Sequence, residues 1–370
     1  MNLTFRNLGV FIIVLAGFFL SHCSDQKGVT PGNVDALELT PVLTIDSASL
    51  QDEEGIFFSD FARDPDGSNY LLDGDSVTVY RYDKSGQLLG SFLKKGEGPG
   101  EFLGYPRLQL TDDYLWVSGR RKVGKFTKDG VFVEEYKQKS YFSAIRVVDE
   151  SRFLGTKERF FDDKNGKTES VKILGLFTLQ NEKLLFTYLE TGSTGRFFVP
   201  SGKMRISVIP GGGLVPDLKF GFNPAKGEVV FADTKFHKVF TMNLDGNNRS
   251  EFFFQSEKTP VPDEFKEGII QSFGKVQEDL KKKVFEALPD YFCAIKKIRA
   301  LPDNMILVES MGQGGKSVFR LFDEQGKLIR SFLIDSGFKF HALKFSGDRV
   351  GMLEDKEESS VYHEFTIELN

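Results

Sequence analysis

The sequence predicts an all-β fold, a six-bladed β-propeller closed by an N-terminal strand and carrying one helical insertion. Three observations predict it. A unit of strand, polar turn and strand recurs along the chain. The last unit lacks one strand, and the N-terminal region has one to spare. The chain also holds 38 phenylalanines in 370 residues, and aromatic side chains favour strands.

The recurring unit covers 79–92, 125–136, 176–188, 240–254 and 319–332. Gly86, Gly130, Gly246 and Gly326 mark four of the turns, and Glu182 holds the matching place in the third. Glycine supplies the positive φ that a tight hairpin needs. Two further strands precede each copy: 58–63 with 70–72, 106–110 with 114–117, 142–148 with 152–155, 218–222 with 228–232, and 292–300 with 304–309. That makes five four-stranded units. A sixth has only three strands, at 341–345, 349–354 and 361–369. The segment 37–45 precedes the first unit without a partner there. An unpaired edge invites aggregation, so this segment is expected to supply the outer strand of the last unit and close the ring.

Apolar residues make up 40% of the chain, enough for a substantial core, and charged residues 27%. The formal net charge of -5 argues against a nucleic-acid surface. Only Cys23 and Cys293 are present, in unlike contexts, so no disulfide framework is expected. The four histidines, His22, His237, His341 and His363, show no metal-ligand spacing. No metal and no cofactor are expected, and the chain is expected to be a monomer.

Arg6 precedes an apolar run at 10–20, the pattern of a signal peptide and too short to span a membrane comfortably. The run ends at Leu20-Ser21-His22-Cys23, which resembles a bacterial lipobox, although His22 stands where Gly, Ala or Ser is usual. The expected organisation is a signal peptide at 1–22, a lipidated tether at 23–36 anchored through Cys23, and the propeller at 37–370. Gly28, Pro31 and Gly32 give the tether its composition. Each buried methylene of an acyl chain adds about 0.8 kcal/mol, so such an anchor would hold firmly. Ser24 follows the cysteine where an aspartate favours inner-membrane retention, which points to the outer membrane, on either its periplasmic or its surface side.

The loop Lys95-Gly96-Glu97-Gly98-Pro99-Gly100-Glu101-Phe102, placed after a blade's last strand, resembles that of the six-bladed TolB-like or NHL-like propeller lipoproteins of Bacteroidetes. The resemblance implies a fold and an envelope location. It implies no activity and no catalytic residue; the histidine ligands of metal-dependent NHL-type lyases have no match here.

Other glycine-rich stretches read as structure. The 96–100 loop lacks the spacing and the following helix of a dinucleotide loop. Ser310 to Ser317 misses the first P-loop glycine and leads into a strand, so a hairpin turn is expected. Gly192-Ser193-Thr194-Gly195 lacks nucleophile-elbow spacing. Asp64-Pro65-Asp66-Gly67-Ser68 lacks the later glutamate of a calcium loop and reads as a turn. Cys293 falls in an apolar stretch and reads as a small buried hydrophobe.

One insertion, 262–288, spaces Phe265, Ile269, Phe273, Val276, Leu280, Val284 and Leu288 by threes and fours, as a helix does. It is expected to pack on the propeller; the second reading is a lid. In a propeller, the links between blades and the loops between second and third strands emerge on one face. The long links 94–105 and 190–216, the helical insertion and the long loops 159–170 and 311–316 therefore share a face. Long loops on a rigid scaffold commonly bind. Aromatic and arginine side chains dominate interface energetics, so the candidate binding residues are Tyr105, Arg107, Arg159, Phe160, Arg196, Phe197, Phe198 and Tyr291.

The function expected is that of a non-catalytic binding or scaffold lipoprotein whose partner is an envelope protein, peptide or glycan. The alternative is a propeller hydrolase or lyase acting on a glycan or peptide in the central channel, with Asp60, Asp112 and Glu309 as acids facing the axis.

Overall fold

The computed structural model describes residues 34–50, 56–162, 168–192, 197–201, 204–208, 214–254, 258–272, 278–312, 316–335, 340–346, 348–356 and 359–368. The signal peptide, Cys23, most of the tether and Arg196 lie outside the described residues.

Six sheets form a ring of blades. Blade 1 comprises Phe58–Arg63, Asn69–Asp73, Thr78–Tyr82 and Leu88–Phe92. Blade 2 comprises Arg107–Leu110, Tyr114–Ser118, Lys122–Thr127 and Phe132–Lys137. Blade 3 comprises Phe142–Val147, Arg152–Asp162, Thr168–Thr178 and Leu184–Thr191. Blade 4 comprises Leu218–Asn223, Glu228–Asp233, Lys238–Asn243 and Ser250–Phe253. Blade 5 comprises Lys297–Ala300, Ile306–Met311, Ser317–Phe322 and Leu328–Asp335. Blade 6 comprises Phe340–Ser346, Arg349–Asp355 and Ser360–Thr366, completed by Pro41–Asp46.

The second strands explain why the blades stack. Tyr70, Leu71 and Leu72 are all fully buried. Successive strand residues point to opposite faces, so Leu71 joins the cluster shared with blade 6 while Tyr70 and Leu72 join the one shared with blade 2. A strand buried on both faces reads as a continuous apolar run rather than an alternating one. The same arrangement yields one apolar cluster at each of the six blade contacts.

The ring closes where the two ends of the described chain meet. Pro41–Asp46 pairs antiparallel with the third strand of blade 6, with Ile45 opposite Tyr362. The expected single strand 37–45 is in fact two. Asp35–Glu38 runs parallel to the outer strand of blade 5, with Leu37 opposite Ile334, and becomes its fifth strand. The break falls before Pro41, which has no amide hydrogen to continue a ladder. The N-terminal segment is thus a belt across two blades. The seam between blades 6 and 1 is further tied by Arg63 Nε to Glu364 Oε2 at 2.9 Å and by the Tyr362 hydroxyl donating to Asn69 Oδ1 at 3.0 Å. The Phe61 and Tyr362 rings meet there with centroids 5.1 Å apart.

Three other expectations change. Within the insertion at 262–288 the described residues form two helices, α1 (Asp263–Ser272) and α2 (Glu278–Ala287), while Phe273 and Val276 lie outside the described residues. Asp263 and Glu264 lie in the first turn of α1, where the helix dipole favours acids. Phe265 and Ile269 pack on Leu214, Leu288, Phe292 and Met311, which seats the pair on the propeller. The expected loop 159–170 is largely strand, because the second and third strands of blade 3 pair from Arg152–Thr178 out to Asp162–Thr168. The link 190–216 carries a further hairpin, Phe197–Ser201 with Met204–Val208.

Candidate functional site: a cationic central channel

The first strand of each blade borders the axis, and first strands of blades 3, 4, 5 and 6 line one cavity of about 360 Å³. An innermost strand has little room for large groups, yet each of the six carries a cation; that of blade 1, Arg63, is taken up by Glu364 at the seam with blade 6. Arg107, Arg146, Lys219, Lys297, Arg299 and Lys344 come from blades 2 to 6, while blade 1 contributes Asp60. Of these, Arg146, Lys219, Arg299 and Lys344 line the cavity, as do Lys172 and Asp217; Arg107 and Lys297 lie beside it, and Lys296 and Glu309 adjoin Arg299. Phe220, Phe222 and Phe345 supply apolar wall, and the Arg299 guanidinium lies over the Phe345 ring at 5.5 Å. Gly221 lets blades 4 and 5 approach: a Cβ there would fall 2.6 Å from the Ala300 backbone nitrogen.

The charges follow a pattern. Each of three carboxylates is shared by two cations. Asp60 Oδ1 lies 2.7 Å from Lys344 Nζ and 3.8 Å from Arg107 Nη1, while its Oδ2 accepts the Leu108 amide at 2.8 Å. Asp217 bridges Lys172 and Lys219, each at 2.5 Å. Glu309 takes Lys296 at 2.8 Å and Arg299 at 3.2 Å, and the Ser317 hydroxyl donates to it at 3.0 Å. Arg146 and Lys297 make no ion pair among the described residues. Eight cations therefore face three carboxylates in a chain whose net charge is -5.

Enclosure by the ring disfavours charge, and it lowers the proton affinity of Arg146, Arg299 and Lys344. The Lys297 ammonium is surrounded by protein yet open to channel water. Desolvation and its neighbours Arg299, Lys296 and Arg107 bring its pKa down to about 8, against the opposing pull of Glu309. For Glu309 burial acts upward, but Arg299, Lys296 and Lys297 outweigh it and hold the pKa at about 2. Glu309 is therefore ionised at neutral pH and unsuited to donate a proton as a general acid. Asp112 lies on an exposed turn after the first strand of blade 2, away from the channel. Among the described residues no three His, Cys, Asp or Glu side chains converge as a metal site.

The rim candidates fall at separate points of the ring. Tyr105 is exposed, and its hydroxyl donates to Asp75 Oδ1 at 3.1 Å. Arg159 pairs with Glu190 at 2.7 Å beside exposed Phe160 on blade 3. Phe197 and Phe198 lie in the extra hairpin. Tyr291 is exposed before blade 5, with the Lys258 ammonium 5.7 Å from its ring centre. Of these residues Arg107 joins the channel cations. The sequence reading passed over Arg146, Lys219, Lys297, Arg299 and Lys344. Their signal was a basic residue in the first strand of every unit.

The 96–102 loop is occupied with its own structure. The Gly98 amide donates to Glu101 Oε2 at 3.0 Å, the Gly100 amide to Glu135 Oε2 at 3.2 Å, and Lys122 Nζ to the Gly98 carbonyl at 2.8 Å. Phe102 then plugs the contact between blades 1 and 2. Cys293 precedes the strand rather than lying in it and is half-buried; burial pushes its thiol up to about 11.

No family model and no curated protein matches the chain. Solved structures do. A protein from Bacteroides fragilis described as exported aligns with 92% of this chain and 98% of its own, at TM-score 0.53 and 13% identity. A member of the DUF4221 family from Bacteroides vulgatus aligns with 91% and 99%, at TM-score 0.54 and 10% identity. At such identities the likeness concerns the fold.

Proposed function

We propose that this chain is a lipid-anchored envelope propeller of the TolB-like or NHL-like kind that binds a small anionic ligand in its central channel. The observation that carries the reading is the excess of cations around the axis of a net acidic protein. Clefts lined by one sign of charge concentrate the opposite ion, and guanidinium groups suit carboxylate and phosphate geometry. The three internal carboxylates are already committed to cations, and Glu309 is held ionised, which favours binding over acid catalysis. The apolar run before Cys23 supports export and anchoring, and the description of the Bacteroides fragilis neighbour as exported supports export alone.

Titration calorimetry on the chain at low salt, with citrate and inorganic phosphate against glucose, tests the binding. The anions are expected to bind, weakening as ionic strength rises, and glucose is not. Equal binding of glucose, or no heat with either anion, overturns the reading. Palmitate labelling of the wild type and of Cys23→Ala tests the anchor: label on both, or on neither, removes it.

A further inference from the structure

Six of the channel cations are already shared with carboxylates, and an anion that recruits one of them competes with that pair. Arg146 and Lys297 need no such exchange, because neither has an ion pair to give up among the described residues. They also sit at different heights. The first strands end in hairpin turns whose closing amides belong to Val148 in blade 3 and Leu301 in blade 5. Arg146 stands two residues before Val148, level with Arg299, whereas Lys297 stands four before Leu301. The offset of two residues amounts to about 7 Å along the axis, at ~3.3 Å per strand residue. Their surroundings differ accordingly. Lys297 feels Glu309, Arg299, Lys296 and Arg107, while Arg146 interacts with Asp60 and Lys344.

We infer that the ligand is an elongated dianion, with one anionic group on Arg146, the other on Lys297, and its apolar middle along the wall formed by Phe220 and Phe345. This rests on the anion-binding reading above and adds to it the number and spacing of the charges. Carboxylate and phosphate groups share the required chemistry.

The test uses the wild-type chain and the α,ω-dicarboxylates succinate, adipate and suberate, with hexanoate as the singly charged control, all by calorimetry at pH 7. Adipate or suberate is expected to bind at least about tenfold more tightly than hexanoate and than succinate, since tenfold is the ~1.4 kcal/mol of one added charge contact. Lys297→Gln and Arg146→Gln should each bring the long dicarboxylates to within about threefold of hexanoate. Hexanoate binding as well as adipate overturns the two-anchor inference while leaving the anion channel standing. Failure of every anion, including citrate, overturns both. The chain-length comparison needs no variant, so a folding defect in either substitution does not blunt it.

Discussion

Lys344 of blade 6 reaches Asp60 of blade 1 with Nζ 2.7 Å from Oδ1, across the seam where the ring closes. The other oxygen of Asp60 takes the Leu108 amide of blade 2. One buried carboxylate thus joins three blades. Asp60→Asn keeps the shape and one hydrogen bond but leaves Lys344 and Arg107 uncompensated. It is expected to cost about 1–2 kcal/mol of stability, less than for a wholly buried pair because Lys344 and Arg107 are partly open to water. The same change makes the channel more positive, so citrate should bind several-fold more tightly. Urea denaturation and calorimetry on one preparation check both signs; weaker citrate binding by a folded variant would contradict the electrostatic account.

Glu309 gives a pH prediction. Its carboxyl is held at about 2 in the fold, against roughly 4.3 in an unfolded chain. A depressed carboxylate contributes stability that is complete above the unfolded value and is lost as pH falls toward the folded one. The loss should therefore run from about pH 4.5 down to about pH 2 and be on the order of 3 kcal/mol. Glu309→Gln should flatten that part of the stability profile while lowering stability at pH 7, because Arg299 and Lys296 lose their countercharge.

Lys297 has the opposite consequence. Its pKa in the fold is about 8, below the usual ~10.4 of a lysine. Below pH 8 the residue is charged in both states, and the folded state bears the full penalty. As pH rises from 8 to about 10.5 the folded protein sheds the proton first and the penalty fades. Lys297→Met should therefore stabilise the ligand-free protein at pH 7 by about 1 kcal/mol, a figure reduced for screening by channel water. The gain should vanish by about pH 10.5. The same residue must be protonated to hold an anion, so wild-type affinity for adipate should fall as pH passes 8. A pH-independent affinity between 7 and 9.5 would remove Lys297 from the site.

These residues also mark where the sequence was legible. Blade number follows from strand count, because each blade needs the same four strands and the spare segment before Phe58 must go somewhere. Turn glycines such as Gly86 and Gly130 announce hairpins through the positive φ they adopt, 84° and 86°. The channel was not legible, because an Arg or Lys in a short strand looks the same whether it faces solvent or an axis. Only stacking six first strands around one point turns Arg107, Arg146, Lys219, Lys297, Arg299 and Lys344 into a cluster. The break at Pro41 was visible in the residue type but not in its partner, since parallel pairing with blade 5 leaves no local pattern.

The N-terminal belt gives the last prediction. Ile45 is 4% exposed and packs with Ile56, Phe58, Phe61, Leu71, Tyr82, Leu353 and Tyr362, residues drawn from blades 6 and 1 and the segment between them. Ile45→Ala removes apolar volume from that seam and leaves a cavity, for a cost of about 2–4 kcal/mol. Deleting the chain through Asp46 is more severe. It strips the outer strand from blade 6 and the fifth strand from blade 5, exposing two unpaired edges at once. Such edges template intermolecular pairing, so the truncated protein should aggregate where Ile45→Ala remains folded and soluble. Light scattering and urea denaturation separate the cases. A truncated protein that stays soluble and unfolds at the wild-type midpoint would mean that the ring closes without its belt.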